Sequence, residues 1–268
     1  MFADTPVCSP SAQSDGTPLV SIITATWNAA DFVSETLASV AAQDFQDWEH
    51  IIVDDASTDH TVALLQEHSA RDQRIKVIEL RENRGAAVAR NTAIAEARGR
   101  FIAFLDADDL WLPQKLTVQI DYMLKSDAPF TYSSYQVIDE YGKQRGKITV
   151  PSRVTYRGIL CNNSIGCLTA VYDRSFFGTV EMPLIRKRQD LGLWLRLLKR
   201  VPYAQGIREE LAQYRIRPDS ISRNKASAAK FTWRLYRDVE KLPLPVAMYY
   251  FGMYAVNGLI KSFLSRRC

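Results

Sequence analysis

Little in this sequence invites redox or zinc chemistry. Four cysteines, Cys8, Cys161, Cys167 and Cys268, are scattered over 268 residues with no C-x-x-C pair, so neither a zinc site nor a disulfide framework is expected. The three histidines, His50, His60 and His68, fall outside every motif identified below and receive no chemical role. No G-x-G-x-x-G follows the first predicted strand and no G-x-x-x-x-G-K-[ST] occurs, which disfavours a dinucleotide-binding fold and a P-loop enzyme. Apolar runs are short. Near the C-terminus, Val246 to Ile260 run for fifteen residues without a charge, fewer than the roughly 20 apolar residues that a spanning helix needs. The opening "MFADTPVCSPSAQSDGTP" lacks the charged start and apolar core of a signal peptide. Residues 1–17 read as a flexible leader, and a reduced, cytoplasmic chain is the expectation. Internal repeats and low-complexity tracts are absent.

Neither sign of charge dominates: the formal net charge is +4. Its distribution is uneven, because residues 225–268 carry eight Lys or Arg against only Asp238 and Glu240. The basic excess therefore lies in the tail, which argues against a nucleic-acid groove in the body and against nucleic acid as a partner. With 47% hydrophobic and 24% charged residues, the chain has material for a full globular core.

The first half alternates strands and helices. "LVSIITAT" (19–26), "WEHIIVDD" (48–55), "IKVIEL" (75–80) and "RFIAFLDA" (100–107) are predicted strands. Between them lie the helical segments "ADFVSETLASVAAQ", "TVALLQEHSA" and the Ala-rich "GAAVARNTAIAEARG", and Pro113 opens a fourth helix. This pattern predicts an α/β fold with a mostly parallel central sheet flanked by helices. Beyond residue 130, "FTYSSYQVID", "ITVPSRVTY" and "GCLTAVYD" suggest strands of a mixed edge. "RQDLGLWLRLLKR" (188–200) reads as an amphipathic helix with Leu191, Trp194, Leu195 and Leu198 on one face.

The carboxylates fall where such sheets bind ligands, outside the carboxyl ends of the strands. Asp54 and Asp55 end the second strand. Asp106, Asp108 and Asp109 follow the fourth, in "FLDADDLW". Clustered carboxylates repel unless a cation or donors lie between them. The chain holds 19 Asp, so a lone D-x-D is within chance; its position gives it weight. The same D-x-D would suit a phosphohydrolase of the haloacid dehalogenase type, but Leu110 stands where that family wants Thr or Val, and three strands precede the motif. An EF-hand is excluded because its sixth loop position is Trp111 rather than Gly.

"VSIITATWN", "VDDASTD", "NRGAAVARN", "FLDADD" and "RQDLGLWLRLL", in that order, resemble glycosyltransferase family 2, on the nucleotide-diphospho-sugar transferase fold called GT-A. The resemblance runs from about Leu19 to Ser222. It is nearest to bacterial enzymes that build surface polysaccharides such as capsule, O-antigen or teichuronic acid. It implies a catalytic domain over 18–222 with a basic amphipathic helical tail at 223–268. It also implies an inverting, metal-dependent transfer of a sugar from a nucleotide-sugar, with a UDP-sugar favoured, to a glycan or lipid-linked acceptor.

Residue by residue, the resemblance sets the loop around Ala25 and Trp27, and Glu35 beyond it, beside the nucleotide. Trp27 packs either on the base or in the core. Asp55 would accept the uracil imide N–H, or else Asp54 and Asp55 with Ser57 cap the next helix. Asn83 and Arg90 suit the diphosphate at a helix start. Asp108 takes the metal, Mn²⁺ or Mg²⁺, and Asp106 takes the ribose or the metal's outer shell. Asp109 is expected to cap the helix begun by Pro113. Asp190 is the base that deprotonates the acceptor hydroxyl, or a helix N-terminal charge favoured by the macrodipole. Arg217, in "QYRIRPDSIS", replaces a His found in many relatives and offers positive charge to phosphate. A catalytically dead sugar-nucleotide-binding protein is the non-enzyme alternative. For the tail, docking on an anionic inner-membrane surface competes with packing on the catalytic domain or in a homodimer.

Overall fold

The computed structural model describes residues 16–217 and 225–264. The leader up to residue 15, residues 218–224, which include the end of "QYRIRPDSIS", and residues 265–268 lie outside the described residues. In chain order the elements are β1 (Val20–Thr26), α1 (Val33–Ala41), β2 (Trp48–Asp54), α2 (Thr61–Arg71), β3 (Ile75–Glu79), α3 (Ala86–Glu96) and β4 (Phe101–Phe104). There follow β5 (Leu110–Trp111), α4 (Lys115–Ser126), β6 (Phe130–Ile138), β7 (Gln144–Ile148), β8 (Arg153–Val154), α5 (Tyr156–Cys161), a 3₁₀ turn (Cys167–Thr169), β9 (Val171–Asp173) and α6 (Arg174–Phe177). The chain continues with α7 (Gln189–Leu198), β10 (Ala204–Arg215), α8 (Lys225–Arg234), a π turn (Leu235–Val239) and α9 (Leu244–Leu264).

One sheet runs in the order β3-β2-β1-β4-β9-β6-β10-β5, with β7 on β6 and β8 on β10. The first four strands are mutually parallel, as the alternating pattern predicts. From β9 onward the pairing turns mainly antiparallel, and β6 and β10 form one further parallel pair. The parallel strands are β-branched and buried on both faces: all of Val20, Ile22, Ile23, Ile51, Ile52 and Val53 are inaccessible.

α3 is Ala-rich because it packs close to the sheet, setting Ala89, Ala93 and Ile94 against Ile23, Ile51 and Val53. Two glycines are required by geometry. Gly85 precedes α3 at φ 90°, a region costly for any residue with a Cβ. At Gly99 a Cβ would lie 2.5 Å from the Ser21 nitrogen, so the chain can enter β4 beside β1 only without a side chain.

Four features differ from the sequence expectation. β4 stops at Phe104, so Asp106 and Asp108 lie in the turn after it. "ITVPSRVTY" is no continuous strand: Gln144–Ile148 forms β7, and only Arg153–Val154 pairs again, as β8. The long β10 was not anticipated. Finally, α7 is buried nearly all round. Leu191, Trp194, Leu195 and Leu198 are inside as expected, but so are Leu193 and Leu197. The second face of α7 is covered by the tail, whose Leu235, Tyr236 and Ala247 belong to the same core cluster. Gly192 marks that closeness, since a Cβ there would lie 2.3 Å from Pro183 and 3.2 Å from Leu235.

Lys115 is fully buried in α4, donating to Gln119 Oε1 at 2.8 Å, with its ammonium 4.3 Å from the Trp111 ring centre. Burial pulls its pKa down to about 7. The folded state therefore favours the neutral amine, while the unfolded chain stays protonated up to about pH 10.4. Between pH 7 and 10 this group should make stability rise with pH, by at most about 1.4 kcal/mol per unit. Urea unfolding of the parent and of Lys115→Met at pH 7, 8 and 9 should show a steeper rise in the parent. Equal slopes would mean Lys115 is charged in the folded protein.

Candidate active site

The carboxyl ends of β1, β2 and β4 carry the predicted residues, and the turn chemistry there is specific. Asp54 accepts from the Ser57 amide at 2.7 Å and from the Ser57 hydroxyl at 2.5 Å. Asp55 does something else. Its two oxygens accept from the amides of Arg84 and Gly85, each at 2.7 Å, and Asn83 Nδ2 donates to the Asp55 carbonyl at 3.1 Å. Asp55 thus ties the end of β2 to the entry of α3. It does not cap α2, where Asp59 accepts from the Thr61 amide at 3.0 Å. Each Asp55 oxygen keeps a second lone pair for a further donor. Trp27, just beyond β1, is 53% exposed, so its ring is not core. Ala25 is half-buried and packs on the main core cluster.

The acidic turn after β4 is answered by arginines from three places. Arg90, in α3, forms an ion pair with Asp106 and is almost buried. Burial works against its charge, yet Asp106 holds its pKa above even the usual arginine value. Arg217 Nε lies 2.9 Å from Asp108 Oδ2, an ion pair without hydrogen-bond alignment. Arg215, 2% exposed, donates to the Asp108 carbonyl at 2.9 Å, to the Glu140 carbonyl at 2.9 Å and to Glu35 Oε2 at 2.6 Å. The guanidinium carbons of Arg215 and Arg217 lie 5.0 and 5.1 Å from the Phe32 ring centre.

Asp109 is not the cap of α4, which begins six residues later. It is buried, and its Oδ1 accepts from the Arg215 amide at 2.8 Å. Burial, then Asp108 and Asp106, push its carboxyl well above the usual range. Burial and then Asp106 also raise Asp108.

Asp190 sits in the first turn of α7 and is half-buried. Its charge is felt by Arg90 and by Cys167 in the 3₁₀ turn, where burial and then Asp106 drive the thiol pKa well up. Residues 84 positions apart, Asp106 and Asp190, thus act on the same two side chains. Glu35 joins the group through Arg215. Sequence reading missed Arg215, Cys167 and Phe32. The alternation in "YRIR" was the available signal for Arg215, since a strand sends both arginines to one side.

The charge balance bears on a metal. Around the buried Asp109, whose carboxyl is pushed well above the usual range, Asp106, Asp108, Glu35 and Asp190 face Arg90, Arg215 and Arg217. A diphosphate would add further negative charge, and a divalent cation is the group that would offset it. Among the described residues no three His, Cys, Asp or Glu side chains form a ready-made metal cluster. Mg²⁺ and Mn²⁺ commonly take one or two carboxylates plus substrate phosphates rather than an all-protein cage.

Residues 21–183 match the profile of Glycosyl transferase family 2. The chain belongs to that family. It is 46% identical over 245 residues to TuaG of Bacillus subtilis, a glycosyltransferase assigned to teichuronic acid biosynthesis, covering 91% of this chain and 97% of the relative. It is 40% identical to WfgD of Escherichia coli, a UDP-Glc:α-D-GlcNAc-diphosphoundecaprenol β-1,3-glucosyltransferase, covering 91% and 94%. The crystal structure of Staphylococcus aureus TarS residues 1–349 with UDP-GlcNAc superposes with a TM-score of 0.70 at 19% identity, covering 88% of this chain and 71% of that one. The fold is therefore GT-A. In this family-2 chain Ala25, Trp27, Asp55, Asp106 and Asp108 lie at or just beyond the carboxyl ends of the parallel strands.

Arg215 holds this end together by touching α1, the turn at Glu140 and the acidic turn. Arg215→Lys keeps the charge but loses the fork that reaches three acceptors. It should cost about 2–4 kcal/mol of stability in urea unfolding. A loss below about 0.5 kcal/mol, the level of an ordinary surface change, would show that the network is not structural.

Proposed function

We propose that this family-2 enzyme is an inverting, metal-dependent glycosyltransferase. Its donor is a UDP-sugar and its acceptor is a hydroxyl of a bacterial surface glycan carried on a lipid diphosphate. The observation that carries the reading is the meeting of Asp190 and Asp106 around Arg90 and Cys167. A base and a nucleotide-facing acid then flank one space, as a single displacement requires. The names of WfgD and TuaG support the substrate class.

In this reading Trp27 offers an exposed ring to the base. Asp55, held by two backbone amides, turns a remaining lone pair to the uracil imide, and Ala25 and Glu35 border the same nucleotide. Asn83 and Arg90 face the diphosphate at the α3 entry, and Asp106 takes the ribose. Asp108 holds Mn²⁺ or Mg²⁺, and the cation, when bound, offsets charge on the departing diphosphate. Arg217 exchanges its ion pair with Asp108 for a phosphate oxygen. Asp190 accepts the proton of the acceptor hydroxyl as that oxygen attacks the anomeric carbon from the face opposite the diphosphate. A haloacid dehalogenase mechanism is not favoured, because the acidic turn lies after the fourth strand of a GT-A sheet.

The test is UDP release and product stereochemistry with UDP-glucose and a synthetic α-GlcNAc-diphospholipid. Asp190→Asn should leave UDP affinity within a few-fold of the parent and lower turnover by roughly 10²-fold or more. Asp108→Ala should abolish the tightening of UDP by Mn²⁺. Parent-rate transfer by Asp108→Ala in chelator would remove the metal from the reading. UDP binding without turnover on a panel of acceptors would favour the non-catalytic alternative.

The location proposed is the cytoplasmic face of an anionic membrane. Among the described residues no helix is long and apolar enough to cross a bilayer. α9 instead presents Leu244, Val246, Met248, Tyr249, Met253 and Val256 to solvent, with no charge between Val246 and Ile260 and a basic tail around it. A homodimer through this face would set two basic tails together, so an anionic surface fits better. The parent should float with vesicles containing phosphatidylglycerol and not with phosphatidylcholine alone. A Met248→Glu/Met253→Glu/Val256→Glu variant should stay in the soluble fraction. Equal flotation of both proteins would defeat the assignment.

A further inference from the structure

The C-terminal helix reaches the turn that carries Asp190, and the contact is specific. Arg188 stands two residues before Asp190 with φ 67°, a left-handed conformation that a residue with a long side chain rarely adopts unless its surroundings impose it. It is the residue before α7, and its carbonyl accepts the Gly192 amide at 3.0 Å, so its backbone starts the helix. The Arg188 guanidinium Nη2 donates to the hydroxyl of Tyr254 in α9, and its carbon lies 5.6 Å from the centre of the same ring. Tyr236, fully buried, is close enough to feel that charge.

Tyr254 is itself fixed. Its ring stacks on Phe251 at 6.5 Å, and Phe251 meets Trp233 edge-on at 5.4 Å. Nearly one turn further on, Asn257 Nδ2 donates to the Cys161 carbonyl at 3.1 Å. The tail therefore holds a guanidinium by both hydroxyl and ring face, and that guanidinium belongs to the one strained residue at the start of α7. Nothing else among the described contacts of the Arg188 side chain binds it.

We infer that Tyr254 is a positioning residue for the reaction: by clamping Arg188 in its left-handed conformation it sets the direction in which α7 presents Asp190 to the acceptor. This rests on the reading of Asp190 as the base. Without the clamp Arg188 can relax toward an ordinary φ. The peptide leading to Asp190 would then rotate, while the donor side, built on β1, β2 and β4, would not move. A misplacement of about 1 Å is enough to cost on the order of 10²-fold in rate.

The test uses the full-length protein with Tyr254→Phe, which deletes one hydroxyl, and Arg188→Gln. Both should keep the parent UDP affinity within twofold. Amide exchange over residues 187–190 should quicken by about tenfold while the interior of α7 is unchanged. With UDP-glucose and the synthetic α-GlcNAc-diphospholipid, kcat should fall by about tenfold with donor KM unaltered, and Arg188→Lys should recover part of the loss. Parent-like exchange and kcat in both variants overturn the proposal, as does a fall in UDP affinity matching the fall in kcat. Asp190→Asn run alongside separates the two readings. If it is inactive while Tyr254→Phe is parent-like, only the clamp fails. If it turns over at the parent rate, the base assignment fails and the clamp's catalytic role with it.

Discussion

Carboxylates crowded at the end of β4 are tolerated because arginines face them. Asp106 is paired with Arg90 and Asp108 with Arg217, while the Arg215 amide supports Asp109. Each arginine comes from a different element or loop, so the pairing also determines where α3, the acidic turn and the end of β10 sit. Removing one charge from such a group leaves the others uncompensated in a poorly solvated place. The arrangement is still acid-rich, which would suit the proposed recruitment of a cation together with an anionic donor. Site chemistry and local folding thus depend on the same ion pairs.

Asp55 repeats this economy on the donor side. A carboxylate that accepts two backbone amides fixes the loop into α3, and with it the place of Asn83, Gly85 and Arg90. The residue proposed to read the base is therefore also the one that shapes the diphosphate end. Rigidity of this kind favours discrimination, because a ligand group that fails to satisfy the held carboxylate leaves it unpaired.

Much of the first half was legible in the sequence because its physics is local. Strands buried on both faces are β-branched runs, and helices between them show their own period and glycine punctuation. The second half was harder. β10 reads "AQGIREELAQYR", with charges at Arg208, Glu209 and Glu210. Its register against β6 shifts between Ile207 and Glu210 and again before Ala212, so no clean alternation survives. β5 is two residues long. Asp109 was misread as a cap because its true partner, the Arg215 amide, is 106 residues away, a relation that no spacing rule contains. α7 looked amphipathic, as its sequence says. What the sequence does not say is that the tail covers its other face.

The tail then has two faces with different demands. Inward, Leu235, Tyr236 and Ala247 complete the core over α7, while Tyr156 and Lys199 hold Glu240, which is buried between them. Such an element is part of the domain, whatever its place in the chain. Outward, α9 shows an apolar stripe that gains nothing from water, and among the described residues no helix is long and apolar enough to cross a bilayer. An acceptor on a lipid diphosphate would approach from a membrane surface, and α9 meets the turn that carries Asp190 through the Arg188–Tyr254 contact. One helix would then define both where the acceptor comes from and how the base meets it.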